Sequence, residues 1–261
     1  MNTNIILKND QVKNAVRETY GSIARSNGSC CGPSSSCGTT PTDALTLGYS
    51  ESDVAQAPQG SEMGLGCGNP LAIASIKMGE VVVDLGSGAG FDCFLAGRKT
   101  GPQGRVIGVD MTPDMISKAR VNASKGGHEN VEFRLGEIEH LPVADNSVDL
   151  IISNCVINLS PDKAQVFRDA HRILKKGGRL AISDILATQP IPPALQQDLA
   201  AYAGCVAGAA QKKDVEAMLV SAGFTNIQVT LRDESRKFVN EWLPGKNAGD
   251  YVVSATISGQ K

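Results

Sequence analysis

Residues 81–92 read VVVDLGSGAGFD: a short, almost wholly apolar run, then Gly86, Gly88 and Gly90 in quick succession. A strand that passes through a glycine turn into a helix start leaves unpaired N–H groups where a ligand can reach the backbone. Outward from it, short apolar runs alternate with longer helical stretches. The pattern predicts strands over 81–85, 105–110, 131–135, 148–153 and 179–184, and helices over 93–99, 113–125 and 161–175. The third helix carries Lys175 and Lys176 in its last turn, with Gly177 and Gly178 as its stop. That rhythm belongs to an α/β protein with a mostly parallel sheet. Beyond Asp184, Pro190, Pro192 and Pro193 break the chain, and 194–210 reads as a small-residue helical segment. A helix over 212–222 stops at Gly223, and alternating strands over 225–231 and 251–257 close the sheet with an antiparallel edge.

The chain has 261 residues, enough for one large α/β domain with or without a small appendage. It carries six Phe, four Tyr and one Trp, so aliphatic side chains must fill the core. Its 25 Lys+Arg against 27 Asp+Glu speak against a protein that grips nucleic acid backbones. No window approaches the roughly 18 uninterrupted apolar residues of a membrane span, and the first 13 residues lack a signal peptide's apolar stretch. The expected setting is a reducing cytoplasm, without membrane attachment. Seven cysteines there are not a disulfide framework, since the count is odd and the chain needs no staples. Three of them, Cys30, Cys31 and Cys37, fall in SNGSCCGPSSSCGTTPT (26–42), whose composition is that of a loop. Ahead of it, Val12, Ala15, Val16, Tyr20 and Ile23 are spaced for a helix over 12–24. The expected organisation is a helix and Cys-rich arm over 1–66, a ligand-binding core over 67–187, and a lid with closing strands over 188–261.

The glycine spacing is G-x-G-x-G, whereas a dinucleotide fold places its third glycine one residue later. Asp84, two residues before Gly86, would serve an anionic pyrophosphate poorly. Asp110 ends the next strand, where a carboxylate can accept ribose hydroxyls. An acid beside the loop suits a ligand with positive charge at that end, such as the ammonium and sulfonium of S-adenosylmethionine.

These residues resemble the class I S-adenosylmethionine-dependent methyltransferases, with their Rossmann-like fold, over about 70–185. VVVDLGSGAG matches the first motif of that family, and VIGVDMTPDMISKAR (106–120) matches its acid-ended second strand and helix. GEIEHLPVADNSVDLIISN (136–154) matches the adenine loop and fourth strand, and RILKKGGRLAISD (172–184) the approach to the fifth. The resemblance implies donor contacts from Asp84, Gly86, Gly88, Gly90, Asp110, Met111, Ile138, Glu139 and Asn154. Asp110 would hold ribose, Met111 and Ile138 would pack on adenine, and Glu139 or Glu137 would lie near its edge.

Cys155 follows the fourth strand in SNCVINLSPD (153–162), and ligands in open α/β sheets sit beyond the strands' carboxyl ends. Cys67 lies between glycines in GLGCGNP (64–70), on a loop able to fold over the same crevice. Cys205 lies in AYAGCVAGA (201–209), on the segment inserted after the fifth strand. Cys93, beside Phe94 and Leu95, reads as core packing. Any one free cysteine is more often an inert small hydrophobe. Three on separate loops around one cleft could hold a soft, thiophilic ion. Zinc fits less well: it wants a fourth ligand or an open position, no Cys-x-x-Cys pair is present, and His128, His140 and His171 lie in or near helices and the adenine loop.

With the cysteine-rich arm, these motifs resemble the arsenite methyltransferases over most of the chain. The resemblance implies that Cys67, Cys155 and Cys205 bind trivalent arsenic, whose lone pair takes the donor methyl, in arsenic detoxification. It further implies an arm thiol (Cys30, Cys31 or Cys37) that relays arsenic or pairs with Cys67. Arsenite–thiol complexes would be the substrate, and an external reductant of glutathione or thioredoxin type would restore the trivalent state, with the chain acting as a monomer. A small-molecule C- or O-methyltransferase of quinone or sterol type shares the core motifs but leaves the cysteines unexplained. A soft-metal sequestering protein on a methyltransferase fold is the non-enzymatic alternative.

Overall fold

The computed structural model describes residues 3–26, 43–243 and 245–261, with side chains from residue 9 onward; Cys30, Cys31 and Cys37 lie outside these. One seven-stranded sheet organises the chain: β1 (Val81–Leu85), β2 (Arg105–Asp110), β3 (Val131–Leu135), β4 (Val148–Asn154), β5 (Leu174–Ala187), β6 (Thr225–Arg232) and β7 (Val252–Gln260), in the order β3-β2-β1-β4-β5-β7-β6. The first five are parallel, while β7 runs antiparallel to β5 and β6, so the sheet has the expected antiparallel edge pairing. β1 lies in the interior of the sheet with both faces covered, which is why it opens on three consecutive valines rather than alternating.

The helices are α1 (Thr3–Arg25), α2 (Glu51–Gln56), α3 (Phe91–Thr100), α4 (Pro113–Gly126), α5 (Lys163–Ile173), α6 (Pro193–Gln196), α7 (Leu199–Ala203), α8 (Lys212–Ala222) and α9 (Arg236–Trp242). Successive strand residues feed opposite layers. Val83, Ile107 and Ile151 pack with Phe167 of α5 and Leu219 of α8, whereas Val82, Val106 and Leu150 pack with Phe94 of α3 and Ile116 of α4. Connections cross on both sides between β1 and β4, so strand order reverses there and a crevice opens at the carboxyl ends. Among the described residues, no helix is long and apolar enough to cross a membrane.

Three local readings need correction. The helix predicted to Lys175 ends at Ile173, and Leu174 to Gly178 begin β5. Leu174 is fully buried in register with Val148, which rewards extended backbone more than another helical turn, and Gly177 and Gly178 are pinned by backbone bonds with Lys261. The segment over 194–210 is not one helix but α6, α7 and a turn. Asp198 restarts the helix by accepting from the N–H groups of Ala200 and Ala201, and Cys205 stops it by adopting φ +62°. Finally, α9 has no counterpart in the sequence reading; its polar composition hides Val239 and Trp242, which it buries in a cluster with Leu195 of α6 and Ala201 of α7.

Candidate active site

The crevice is a cleft of about 1110 Å³, open mouth included, between the carboxyl ends of β1, β2 and β4, the loop over 61–66 and α1. Gly86 and Gly88 line it in the left-handed region, at φ +68° and +51°. A Cβ on Gly86 would stand 2.3 Å from Val156 Cγ2, so no other residue fits. Gly90 (φ +97°) works elsewhere: a Cβ there would meet Phe133 at 2.6 Å, so it lets α3 close on the sheet rather than lining the cleft.

Asp84, Asp92 and Asp110 all face this cleft. Asp110 accepts from the N–H of Gly88 (3.0 Å, Oδ2) and of Thr112 (2.8 Å, Oδ1), which fixes the carboxylate; burial pushes its pKa up. Asp84 accepts only from the weak thiol donor of Cys93 (3.2 Å) among the hydrogen bonds of the described residues, and burial, then the charge of Asp92, pushes it well above the usual carboxylate range. Asp92 accepts from Tyr49 Oη (2.6 Å) and Asn154 Nδ2 (3.3 Å), and burial pushes it up to about 6. The buried hydroxyl of Ser87, also in the cleft wall, has no hydrogen-bond partner. Under-compensated carboxyls, a spare hydroxyl and glycine backbone fit the cationic end and ribose of S-adenosylmethionine.

Met111 and Ile138 line the same wall, as does Glu139, but Glu137 does not. Both glutamates are held by α1. Lys13 Nζ lies 2.6 Å from Glu137 and 3.3 Å from Glu139, and Arg17 lies 2.5 Å from Glu137. Helix α1 therefore closes one side of the cleft with Lys13, Val16 and Tyr20, a role its apolar spacing alone did not reveal.

The sulfur cluster lies against this cleft. Cys155 follows β4 at φ +59°, and Cys205 sits at +62°, backbone that non-glycine residues adopt at a cost and that clusters at functional positions. The Cys155 N–H donates to Ser183 O (2.8 Å), and the Cys205 thiol donates to Cys155 O (2.8 Å). Cys67 is fixed from two sides: its N–H donates to Asn154 Oδ1 (3.0 Å) and its carbonyl accepts from Ser254 Oγ (2.7 Å). Asn154 Nδ2 also donates to Gly68 O at 2.8 Å, so the Asn154 amide that faces the cleft is also the clasp of the Cys67 loop. The neighbouring glycines are required by that clasp, since a Cβ on Gly66 would lie 2.8 Å from Asn154 Nδ2.

The ligand atoms of Cys67, Cys155 and Asp184 all lie within 4.8 Å of one another. The thiol of Cys155 also lies close enough to those of Cys67 and Cys205 for each to shift its pKa. Cys155 lines the cleft, with Cys67 and Cys205 behind it in an apolar cluster that includes Val16, Leu195 and Trp242. Burial pushes the Cys67 thiol up. Contact with Cys205 lowers the Cys155 pKa, but the Cys67 contact and burial outweigh it; Cys205 is raised by its bond to Cys155 and by burial. All three therefore rest as neutral thiols. Cys93 is fully buried beside Phe94, as its sequence reading had it, and bonds to Asp84.

Sequence reading missed Asp184, in the carboxyl-terminal half of β5, where burial pushes its pKa up to about 6. An acid at the end of the strand predicted over 179–184 was the available signal, the same one that marked Asp110. It also missed Tyr20, whose hydroxyl donates to Ala203 O (3.1 Å) and ties α1 to the segment preceding Cys205. The histidines stand apart: His128 packs on Phe94, His171 on Phe224, and His140 is exposed.

Residues 76–223 match a family model described as a methyltransferase domain. The arsenite methyltransferase of Halobacterium salinarum is 51% identical over 262 residues, covering 97% of this chain and 67% of that protein. The chain belongs to the arsenite methyltransferase family. A second arsenite methyltransferase, from Aquipseudomonas alcaligenes, is 39% identical over 76% of the chain and 59% of its own length. The chain thus spans 59% to 67% of these two curated arsenite methyltransferases. Among solved structures, the arsenic (III) S-adenosylmethionine methyltransferase of Chlamydomonas reinhardtii superposes with a TM-score of 0.60 at 33% identity, covering 85% of this chain and 74% of that one.

Proposed function

We propose that this chain methylates trivalent arsenic, arsenite first and monomethylarsenite next, while Cys67, Cys155 and Cys205 hold the arsenic. The observation that carries this reading is the position of Cys155, which faces the donor cleft while its sulfur contacts both other thiols. S-Adenosylmethionine, when bound, supplies an electrophilic methyl group, and the arsenic lone pair is the nucleophile. Asp84 and Asp92 offer negative charge to its cationic end, Asp110 accepts from ribose, and Met111 and Ile138 flank the base. Ligand exchange needs no external base: each incoming arsenic–sulfur bond displaces a thiol of the arsenite–thiol complex, which leaves with the cysteine's proton. Neutral, buried thiols resist oxidation while they wait. No general base is required at the nucleophile, in keeping with histidines that pack elsewhere.

The arm thiols Cys30, Cys31 and Cys37 are proposed as the relay, and a glutathione- or thioredoxin-type reductant as the agent that returns arsenic to the trivalent state. A reducing compartment such as the cytoplasm keeps such thiols free. A working monomer is part of the same proposal. The quinone or sterol reading is not favoured, because it leaves two strained cysteines without a task. Serine variants test the assignment. Cys155→Ser and Cys205→Ser should abolish methylation of arsenite and of its monomethyl product, while Cys67→Ser should mainly damage the first step. Full arsenite turnover in all three would overturn it.

A further inference from the structure

The carboxylate of Asp184 has no part in a three-sulfur arsenic site, yet it is built into the cluster. Its Oδ1 accepts from Asn158 Nδ2 (2.9 Å) and from the N–H of Ile185 (2.7 Å). Its Oδ2 accepts from the N–H of Ile157 (2.9 Å), and the N–H of Asn158 also bonds to the carboxylate. These donors fix the orientation of a buried acid whose oxygen shares a 4.8 Å neighbourhood with two thiols. Trivalent arsenic is satisfied by three sulfurs, because its lone pair occupies the fourth direction. A d10 divalent cation has no such lone pair and takes four donors in a tetrahedron. Zinc lacked a fourth ligand in the sequence; in the fold, Asp184 stands beside the thiols.

We propose that Cys67, Cys155, Cys205 and Asp184 form a tetrahedral site for a soft divalent cation, and that such a cation occupies the same thiols as arsenic and excludes it. Cys67, Cys155 and Asp184 are already grouped, and Cys205 joins by turning its thiol away from the Cys155 carbonyl. Sulfur-rich donors select Cd2+ or Zn2+ over Mg2+ or Ca2+. The thiols release their protons to solvent as the cation binds. Lys163, whose ammonium is near enough to feel both Asp184 and Cys205, offsets part of the resulting negative charge. The site stands on its own geometry, while the exclusion of arsenic rests on the proposed function.

The test uses the full chain with Cys30, Cys31 and Cys37 changed to serine, so that arm thiols do not compete. Cd2+ is titrated into the reduced, metal-free protein, and sulfur-to-cadmium charge-transfer absorption is followed. One Cd2+ per chain is expected, with X-ray absorption showing sulfur and oxygen together in its first shell. Asp184→Asn and Asp184→Ala should weaken Cd2+ by roughly tenfold or more. An affinity within about twofold of the parent, in a variant with the parent's circular dichroism, overturns the assignment of Asp184. Should neither variant fold, the parent's first shell decides, and sulfur alone overturns it. Arsenite binding that survives saturating Cd2+ leaves the cation site standing and refutes the arsenic reading of these thiols. Arsenite methylation by a chain that takes up no Cd2+ refutes the cation site alone.

Discussion

Asn154→Ala removes the clasp on which the Cys67 loop depends, and its effect can be worked out from the hydrogen bonds it breaks. Oδ1 is the acceptor for the N–H of Cys67, a residue 1% exposed, so that donor is left buried and unpaired. An orphaned buried backbone group costs about 1–3 kcal/mol, and the bond from Nδ2 to Gly68 O contributes about 1 kcal/mol more. Asn154 also faces the cleft, so water entering from there recovers part of this, and a loss of roughly 2–3 kcal/mol in unfolding free energy is expected. The local consequence should be larger than the global one. Gly66 and Gly68 pack so closely on Asn154 and Ser183 that the loop has no second seat, and Cys67 should drift from Cys155. Arsenite affinity should fall by about tenfold or more, the equivalent of about 1.4 kcal/mol. Urea unfolding reads the first quantity. Fluorescence of Trp242, the chain's single tryptophan and a member of the thiol cluster, reads the second. Tyr49→Phe is the control, because it breaks the hydroxyl's bonds to Asp92 and Asn154 but leaves the amide on the loop. A stability change under about 0.5 kcal/mol together with parental arsenite affinity in Asn154→Ala would refute the reasoning.

Gly86→Ala should abolish binding of S-adenosylmethionine in calorimetry, since the φ of +68° and the 2.3 Å approach to Val156 penalise any Cβ; retained affinity would move the donor elsewhere. Tyr20→Phe should lower stability by about 1 kcal/mol and weaken arsenite more than donor, because it cuts the tie between α1 and Ala203; equal weakening of both ligands would contradict that role. Stability of the ligand-free chain should rise as pH falls from 7 towards 5. Asp92 and Asp184 each titrate at about 6 in the fold and near 3.8 when unfolded, so the folded state takes up protons first. Each such acid carries a penalty of at most about 3 kcal/mol above pH 6 that disappears between 6 and 4. Below that window the paired acids Glu80, Glu132, Glu137 and Asp149, all with lowered values, are protonated and stability falls again. Flat urea midpoints from pH 7 to 5 would show that these carboxyls are not desolvated as described.

What was legible in the sequence is what depends on near neighbours. VVVDL announces a strand covered on both faces, and the glycines that follow announce the turn, because both are properties of a few consecutive residues. Asp84 and Asp110 were readable as acids of the cleft wall from their distance to those glycines and to a strand end. The cysteines were readable as a group only through the topology that brings three loops to one crevice. What stayed hidden was set by partners far along the chain. Asn154 acts on Cys67 across 87 positions, and Tyr20 on Ala203 across 183. The left-handed backbone of Cys155 and Cys205 has no signature in residues that ordinarily avoid it. Asp184 was passed over as the end of an apolar strand; β5 in fact runs on past it to Ala187, whereas Asp110 ends β2. The break between α6 and α7 was masked by alanines, whose helix propensity is good at every position that the Asp198 cap and the Cys205 turn override.

The most direct measurement is arsenic speciation after the full chain is incubated with arsenite, S-adenosylmethionine and glutathione. Monomethylated arsenic should appear first and dimethylated arsenic after it, each dependent on the donor and absent with Cys155→Ser. Arsenite recovered unchanged, from a chain that demonstrably binds both the donor and arsenite, would contradict methyl transfer to arsenic and leave a protein that only holds it.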